Sequence, residues 1–347
     1  MQTGLIQNAH NDLVTDAAYD FYGLRLATCS VDQRIKIWQL DEQNGIWNVT
    51  SDWKAHDAAV SRVSWAHPEF GSVIASGSFD RSVKVWEETT PDIDQPQLNG
   101  NAPSSASDSR WVERAVNTDA KGSVRGVEFA PHHFGLKLST ISSDNHIRVY
   151  ECLEAPSLTN WQLIEEVDVL SIPSIEADGG WSISWCKERY WGEIIATSCG
   201  TNGIVKVLFP ATFSTFPLSS SPSAITSVAW APCCGRSYHL VATGGRDGHV
   251  RIWRLKPPAS NDERAEADET RWTCSIVADF DHHKSTVGRV EWNITGTILS
   301  SAGNDGRIRL WKATTGNVWR PAGNITVEQA EEQPGGDVEM DDNGLID

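Results

Sequence analysis

Six segments of the chain share one pattern of alternating apolar and polar residues. In each, an Asp or Asn is followed four residues later by Lys or Arg and six residues later by a large apolar residue. The alternation has the two-residue period of a half-buried β-strand, and the Asp-containing step before it is typical of a tight turn. The segments are 29–38, 77–86, 142–150, 200–208, 244–253 and 302–311.

The spacing that recurs in these six segments predicts residues with a structural role. The turn acid and the apolar residue six positions later are Asp32 and Trp38, Asp80 and Trp86, Asp144 and Tyr150, Asp247 and Trp253, and Asp305 and Trp311. Asn202 and Leu208 take these places in the fourth segment. Three repeats also have a His before their first strand, namely His10, His56 and His283.

Further strand signals surround each segment. The first strand of every repeat ends on an aromatic residue: Tyr19, Trp65, Phe129, Trp185, Trp230 and Trp292. A fourth strand opens with Trp in five repeats: Trp47, Trp111, Trp161, Trp272 and Trp319. Four short strands, repeated six times at about 45–65 residues, predict an all-β fold, a β-propeller of six four-stranded blades.

The same pattern sets the domain organisation. We predict a single propeller over residues 1–327 and a disordered acidic tail over 328–347. Two polar inserts, 87–110 and 256–271, are rich in Pro or acidic residues and are predicted to be solvated loops.

Net charge limits the classes of partner. The 347 residues contain 29 Lys and Arg against 46 Asp and Glu, a net charge of −17. Direct nucleic-acid binding is not predicted, because phosphate recognition needs a basic surface. No apolar stretch approaches the ~20 residues of a membrane span, so direct membrane insertion is not predicted either. Residues 321–347 hold eight acidic residues and no Lys or Arg, which leaves binding to basic partners such as histones open.

Cysteine and histidine spacing gives no support for a metal or a cofactor. The seven Cys are an odd number, and the sequence contains neither a CxxC pair nor HExxH. We therefore predict free thiols in a reduced cytosolic or nuclear compartment, with no metal site and no cofactor. His132 and His133 are adjacent and lack a matched third ligand, so they are interpreted as surface loop residues.

One combination of residues could suggest catalysis. His56, Ser76 and Asp80 are the residue types of a hydrolytic triad, but equivalent sets recur around the ring, whereas a catalytic triad occurs once per site. We interpret them as hydrogen-bonding groups that satisfy buried polar atoms. The six Lys and Arg of the repeats are spread over all blades and are interpreted in the same structural way. No catalytic residue and no enzymatic activity are predicted.

The number of strands predicts how the ring closes. Trp319 opens a fourth strand for the last blade, so residues 3–9 are predicted to form a strand without a partner in the same chain. Unpaired strands are avoided in natural sheets, and a second chain could add strands at an open seam. Leu5 and Ile6, with Trp311 and Trp319 of blade six, are the predicted partner-binding residues. The alternative is a closed six-bladed ring with a frayed N-terminus.

Three segments narrow the class of propeller. They are 10–38, 65–88 (WAHPEFGSVIASGSFDRSVKVWEE) and 123–151, which contains FAPHHFG. They resemble the small WD40 nucleoporin that is related to the vesicle-coat propeller and is often called the Sec-thirteen homologue. PSLTNWQL (156–163) resembles the third blade of that family. The resemblance covers roughly residues 5–325. The fourth repeat, which has lost both Asp and Trp, and the long insert 87–110 depart from it.

The resemblance implies a function that the residues alone do not. Members of the family are open six-bladed propellers completed by a blade from an α-solenoid nucleoporin. They belong to the Y-shaped scaffold of the nuclear pore, at the nuclear envelope, with roles in protein transport and mRNA export. A second implied role is in a vacuole- or lysosome-associated complex that regulates TOR nutrient signalling.

Two other classes stay open at this point. The sibling outer-coat propeller of secretory vesicles shares the open seam, but the WEE ending of residues 86–88 and the PSLTNWQL stretch disfavour it. A histone-binding or adaptor WD40 protein is supported by the acidic tail alone.

Overall fold

Six antiparallel sheets arranged in a ring make up the described part of the chain. The computed structural model describes residues 6–89, 110–170, 179–201, 203–209, 214–220, 223–257, 272–314, 316 and 318–326. Each sheet contains four strands joined in sequence order, which confirms the predicted six-bladed propeller.

The first three blades cover the N-terminal half. Blade one consists of β1 (Val14–Tyr19), β2 (Arg25–Ser30), β3 (Arg34–Asp41) and β4 (Ile46–Lys54). Blade two consists of β5 (Val60–Trp65), β6 (Val73–Ser78), β7 (Val83–Thr89) and β8 (Arg110–Asn117). Blade three consists of β9 (Val124–Phe129), β10 (Lys137–Ser142), β11 (His146–Cys152) and β12 (Trp161–Asp168).

The last three blades repeat this order. Blade four consists of β13 (Ser182–Trp185), β14 (Ile195–Cys199), β15 (Ile204–Phe209) and β16 (Ser214–Ser220). Blade five consists of β17 (Ile225–Trp230), β18 (His239–Gly245), β19 (Val250–Lys256) and β20 (Thr273–Phe280). Blade six consists of β21 (Val287–Trp292), β22 (Ile298–Gly303), β23 (Arg307–Ala313) and β24 (Trp319–Thr326).

Helical structure in the described residues is confined to short 3₁₀ turns between first and second strands. They are Pro68–Phe70, His132–Phe134 and Arg189–Trp191.

The loop predictions fall mostly outside the described residues. Strand β7 continues to Thr89 and β8 begins at Arg110, so both ends of the predicted insert 87–110 are strand rather than loop. Strand β19 likewise includes position 256. Residues 90–109, 258–271, the predicted tail 328–347 and Asn202 lie outside the described part.

The turn between second and third strands explains the recurring Asp. In five blades the residue after that Asp has a positive φ, from 67° to 80°. Gly248 and Gly306 adopt this left-handed conformation without a steric penalty, whereas Gln33, Arg81 and Asn145 must be held in it. The preceding Asp does so by accepting a hydrogen bond from the backbone two residues on, as Asp80 does from Ser82 N at 2.8 Å.

The hydrophobic core lies between blades rather than within one. Ile35 and Ile37, on one face of blade one, pack with Val60, Val63 and Ile74 of blade two. The same relation recurs in blades two to five, so the alternating apolar residues of the third strands of blades one to five are buried by the following blade. Burial by the next blade therefore stabilises each of these five blades.

Candidate functional site

The residues that suggested a hydrolytic triad form a buried structural network. His56 Nε2 lies 2.8 Å from Ser76 Oγ, and Trp86 Nε1 donates to the same oxygen at 2.9 Å. His56 Nδ1 lies 2.9 Å from Asp80 Oδ2. Two blades repeat the arrangement: His10, Thr28, Trp38 and Asp32 in blade one, and His283, Ser301, Trp311 and Asp305 in blade six. Each hydroxyl is engaged by two neighbours, so the networks support the interpretation that they join strands of one blade.

Blades three and five use Arg where blades one, two and six use His. Asp144 pairs with Arg148 and Asp247 pairs with Arg251, at 2.8 and 2.7 Å. Trp253 Nε1 donates to the equivalent hydroxyl, Thr243 Oγ1, at 3.0 Å, whereas Tyr150 Oη of blade three donates to Asp119 at 3.1 Å.

The six Lys and Arg side chains of the repeats also bind acceptors within the ring. Their partners are Asp52 for Lys36, Glu113 for Lys84, Asp144 and Glu166 for Arg148, the Val169 carbonyl for Lys206, Asp247 and Asp279 for Arg251, and Asp305 for Arg309. A cation paired in this way is not available to bind phosphate.

Asp80 and Asp305 in these networks have lowered pKa values. Burial raises the pKa of Asp305, but hydrogen bonds from His283 and Arg309 outweigh it and lower the value to about 2. Burial is outweighed in the same way by His56 and Ser82 at Asp80, whose pKa lies well below its usual range. Burial lowers the pKa of His283. Both types of shift favour the pairing of a charged Asp with a neutral or weakly basic His.

No metal site or membrane span was found in the described part of the chain. No three His, Cys, Asp or Glu side chains there are placed to bind one ion. The ring of His132 instead stacks on that of His67, with a centroid distance of 4.0 Å. No described helix is long and apolar enough to cross a membrane.

One junction of the ring differs from the other five. The first strand of each blade packs on that of the next, from β1 on β5 through to β17 on β21. The described residues of β21 and β1 make no packing of comparable extent. We call the space between blades six and one the gap.

Blade six presents an uncovered apolar face to the gap. Alternate residues of β23 point away from blade five, and among them Ile308 is 41% exposed and Leu310 is half-buried. The equivalent residues of blade five, Val250 and Ile252, are completely buried against blade six. Ile308 and Leu310 thus occupy positions that elsewhere in the ring lie in the core.

Blade one presents the complementary uncovered face. Val14 is 47% and Tyr19 60% exposed, although their equivalent residues in blade two are Val60, which is completely buried, and the half-buried Trp65. The gap is therefore lined on both sides by side chains of core type. Apolar surface of this kind, rimmed by polar residues, marks an interaction site in a soluble protein.

Among the described residues, an ionic contact between the first strands β1 and β21 bridges the gap. The carboxylate of Asp16, nearly buried in blade one, accepts hydrogen bonds from Arg289 of blade six and from Arg62 of blade two, the latter at 3.3 Å. Its second oxygen accepts from Val63 N at 3.1 Å. Asp16 thus connects three blades.

Blades one, two and five contact the following blade through a hydroxyl group that blade six does not have. Thr15 Oγ1 donates to the Val60 carbonyl at 2.5 Å, and Ser61 Oγ donates to the Val124 carbonyl at 2.7 Å. Gly288 takes the corresponding position in blade six, one residue before Arg289. With no side chain there, blade six cannot make this hydrogen bond to blade one.

The four predicted partner-binding residues are Leu5, Ile6, Trp311 and Trp319, and none of the three that the structure describes is among the exposed apolar residues that line the gap. Leu5 lies outside the described residues, and the half-buried Ile6 precedes a turn. The predicted strand 3–9 is wrong for its described part, because residues 6–9 form no strand and Asn8 has a φ of 52°. Trp311 and Trp319 are buried: Trp311 stacks on Phe280, and Trp319 packs on Trp292. Both belong to the core cluster that blade six shares with blade five, and neither lies in the gap.

Sequence reasoning therefore located the gap but missed most of its lining. Ile308 and Leu310 have the same repeat positions as Val83 and Val85, and Val14 has the position of Val60. The signal available was the absence of a seventh repeat to cover blade six, together with Gly288 where blades one, two and five carry a hydroxyl.

Comparisons with known proteins decide the family. A model of the WD domain, G-beta repeat, matches residues 3–39, 47–87, 213–254 and 274–312. The chain is 38% identical to nucleoporin SEH1 of Saccharomyces cerevisiae over 360 aligned positions, covering 93% of this chain and 99% of the relative. The chain belongs to the nucleoporin SEH1 family. Two further members are those of Schizosaccharomyces pombe (34% identity, 94% and 97% covered) and Homo sapiens (40%, 90% and 85%).

Family membership and fold together indicate a structural, non-enzymatic protein. The resemblance drawn from the inter-strand loops and repeats is confirmed.

Replacing Asp80 should destabilise blade two. Asp80→Ala removes an acceptor for His56, for Ser82 and for two backbone amides, and we expect the free energy of unfolding to fall by about 1–3 kcal/mol. Chemical denaturation of the full chain measures it. The control is Asp57→Ala, in which the removed carboxylate is exposed and pairs only with Lys54. Equal losses in the two variants would contradict the structural role of Asp80.

Acid should destabilise the fold through the networks. His283 and Asp305 both have a lower pKa in the folded chain than in the unfolded chain. The unfolded chain therefore binds more protons than the folded chain, at His283 below about pH 6.5 and at Asp305 below about pH 4. The free energy of unfolding should therefore be highest at neutral pH and fall on acidification down to about pH 2. Denaturation over this range should show a shallower decline below pH 4 for Asp305→Asn than for the unchanged chain. An identical slope would refute the assignment.

Removing Asp16 should cost more than removing Arg289. Asp16→Ala leaves Arg62 and Val63 N without an acceptor and breaks the contact across the gap, with an expected loss of about 1–3 kcal/mol. Arg289→Ala leaves the bond between blades one and two intact, and its arginine is partly solvated, so its loss should be smaller. Thermal and chemical denaturation of both variants test this order.

Proposed function

We propose that this chain is a scaffold subunit of the Y-shaped complex of the nuclear pore and that an α-solenoid nucleoporin supplies a blade to the gap. The proposal combines the nuclear-pore name carried by the relatives with the open junction of this chain. Those names favour it over the outer coat of secretory vesicles. Nuclear envelope localisation and contacts with other subunits of the Y-shaped complex are part of the same proposal.

The uncovered faces of blades six and one carry the proposal. Ile308, Leu310, Val14 and Tyr19 are solvated in the single chain, although their equivalents at the other junctions contribute to the core. Covering such surface contributes roughly 25 cal/mol per Å² of apolar area. An inserted sheet is the element that fits, because both walls of the gap are sheet faces and sheets pack face to face at about 10 Å.

The N-terminal segment lies beside this surface. His10 is fixed to Thr28 and Asp32 on the side of blade one that faces the gap. Residues 6–9, including Ile6, therefore lie next to the rim of the gap, and Leu5 directly precedes them in the sequence. We propose that they contact the inserted blade, and hydrogen exchange of amides 6–9 with and without the nucleoporin would test it by their gain in protection.

A second assembly would use the same surface. The family resemblance implies membership of a vacuole- or lysosome-associated complex that regulates TOR signalling. If one gap accepts one blade, a single copy of this chain can belong to only one of the two assemblies at a time. Complexes captured through a tag on this chain, and then captured again through a nuclear pore subunit, should contain no subunit of the vacuolar complex.

A charge in the gap should prevent assembly without unfolding the ring. Ile308→Asp places a carboxylate on the face that the donated blade would bury, and burying an unpaired charge costs several kcal/mol. We expect affinity capture from cells, followed by mass spectrometry, to lose the α-solenoid nucleoporin by at least about tenfold.

The matched control is Ile276→Asp. Ile276 is an exposed isoleucine on the outer strand of blade five, away from the gap. It should keep the partner, and both variants should keep the melting temperature of the isolated chain within a few degrees. Undiminished capture by Ile308→Asp would reject blade insertion, and capture of vesicle-coat subunits by the unchanged chain would reject the nuclear pore assignment.

A further inference from the structure

Two cations lie directly opposite each other on the gap face of blade six. Lys312 and Arg320 are register partners on β23 and β24, and both are exposed. They continue the row formed by Ile308, which faces Ile325, and Leu310, which faces Gly323. The gap face therefore changes along its length from apolar to cationic.

This pair is unlike its equivalents in the other blades. The corresponding register pairs are Gln39 with Asn48, Glu87 with Val112, Glu151 with Gln162, and Arg254 with Ser275. Arg254 lies over the ring of Tyr238 at 4.8 Å, and Glu87 pairs with Arg114 at 2.6 Å. Blade six alone sets two like charges opposite each other among these pairs.

The cations have no acidic partner among the described residues. No ion pair in this part of the chain includes Lys312 or Arg320, whereas the neighbouring Arg309 pairs with Asp305. Like charges directly opposite on adjacent strands destabilise a sheet. A carboxylate placed between them would convert this repulsion into two charge-assisted hydrogen bonds, one of them on the planar guanidinium of Arg320.

We propose that the chain inserted in the gap presents a carboxylate to Lys312 and Arg320, next to apolar side chains that cover Ile308 and Leu310. The inference rests on the proposed function, because it specifies the chemistry of the same partner. It predicts a donated strand with alternating apolar residues and an Asp or Glu near the end that meets Lys312 and Arg320. Such a pair sets the register of the inserted strand, which apolar contacts alone leave loosely defined.

The acidic segment that follows β24 is the other source of carboxylates. It begins beyond Thr326, the residue opposite Arg307, at the far end of the strand from Arg320. The apolar row beside the two cations favours an inserted strand over this segment, and the experiment distinguishes them.

Zero-length cross-linking identifies the carboxylate. The native assembly, captured through a tag on the full chain, is treated with a carbodiimide, which activates a carboxylate and leaves as a urea when the Lys312 amine forms the amide. We expect a peptide joining Lys312 to an Asp or Glu of the nucleoporin, absent from Lys312→Arg while the other cross-links to that nucleoporin persist. Cross-links of Lys312 only to residues 328–347, or nucleoporin cross-links that never include Lys312, would overturn the proposal.

Charge removal measures the contribution to binding. The double variant Lys312→Gln with Arg320→Gln should weaken binding of the purified nucleoporin by about tenfold at low salt and by much less at about 0.5 M salt. The control is Lys256→Gln with Lys284→Gln, which removes two exposed positive charges elsewhere. Equal affinities of the double variant and this control would refute the carboxylate while leaving blade insertion intact. Failure of the unchanged chain to capture any α-solenoid nucleoporin would instead refute the proposed function, and this inference with it.

Discussion

The whole structure depends on the burial of one sheet face by the next blade. A four-stranded blade places alternating Val and Ile residues of its third strand on one face, and this face has no cover within the blade. The next blade buries it with its own first strand and aromatic residue. This packing stabilises the five junctions at which one blade follows another. At the gap no blade follows blade six, so one face of blade six and one face of blade one stay uncovered.

The polar groups of the ring follow from the same packing. Five blades have a hairpin turn whose Asp accepts hydrogen bonds from a His or an Arg of the same blade. In four of them the hydroxyl of the second strand accepts from the Trp of the third strand. Repetition of the set in several blades explains why residues of catalytic type serve no catalysis here. At the gap this system ends, and the ionic contact of Asp16 with Arg289 takes the place of both apolar packing and hydroxyl hydrogen bonds.

Strand positions predicted from the sequence were confirmed within the six repeats. They were wrong for the N-terminal segment, which belongs to no repeat. The first-strand aromatics, the turn acids and the third strands all lie where their spacing placed them. The strand proposed for residues 3–9 had only two aliphatic residues in its favour, and its described part contains a turn at Asn8. Trp311 and Trp319 were assigned to the seam because they belong to the last blade, yet both are buried in the core cluster shared with blade five.

The sequence by itself determined the blade number, the hairpin turns and the family, because these depend on local periodicity and on spacing within about fifty residues. Only the tertiary structure decided which side of each strand faces which neighbour. Asp16 and Arg289 are separated by most of the chain, and nothing in their local sequence shows that they meet. Likewise Ile308 has the repeat position of Val83, and only the order of blades around the ring leaves one solvated and the other in the core.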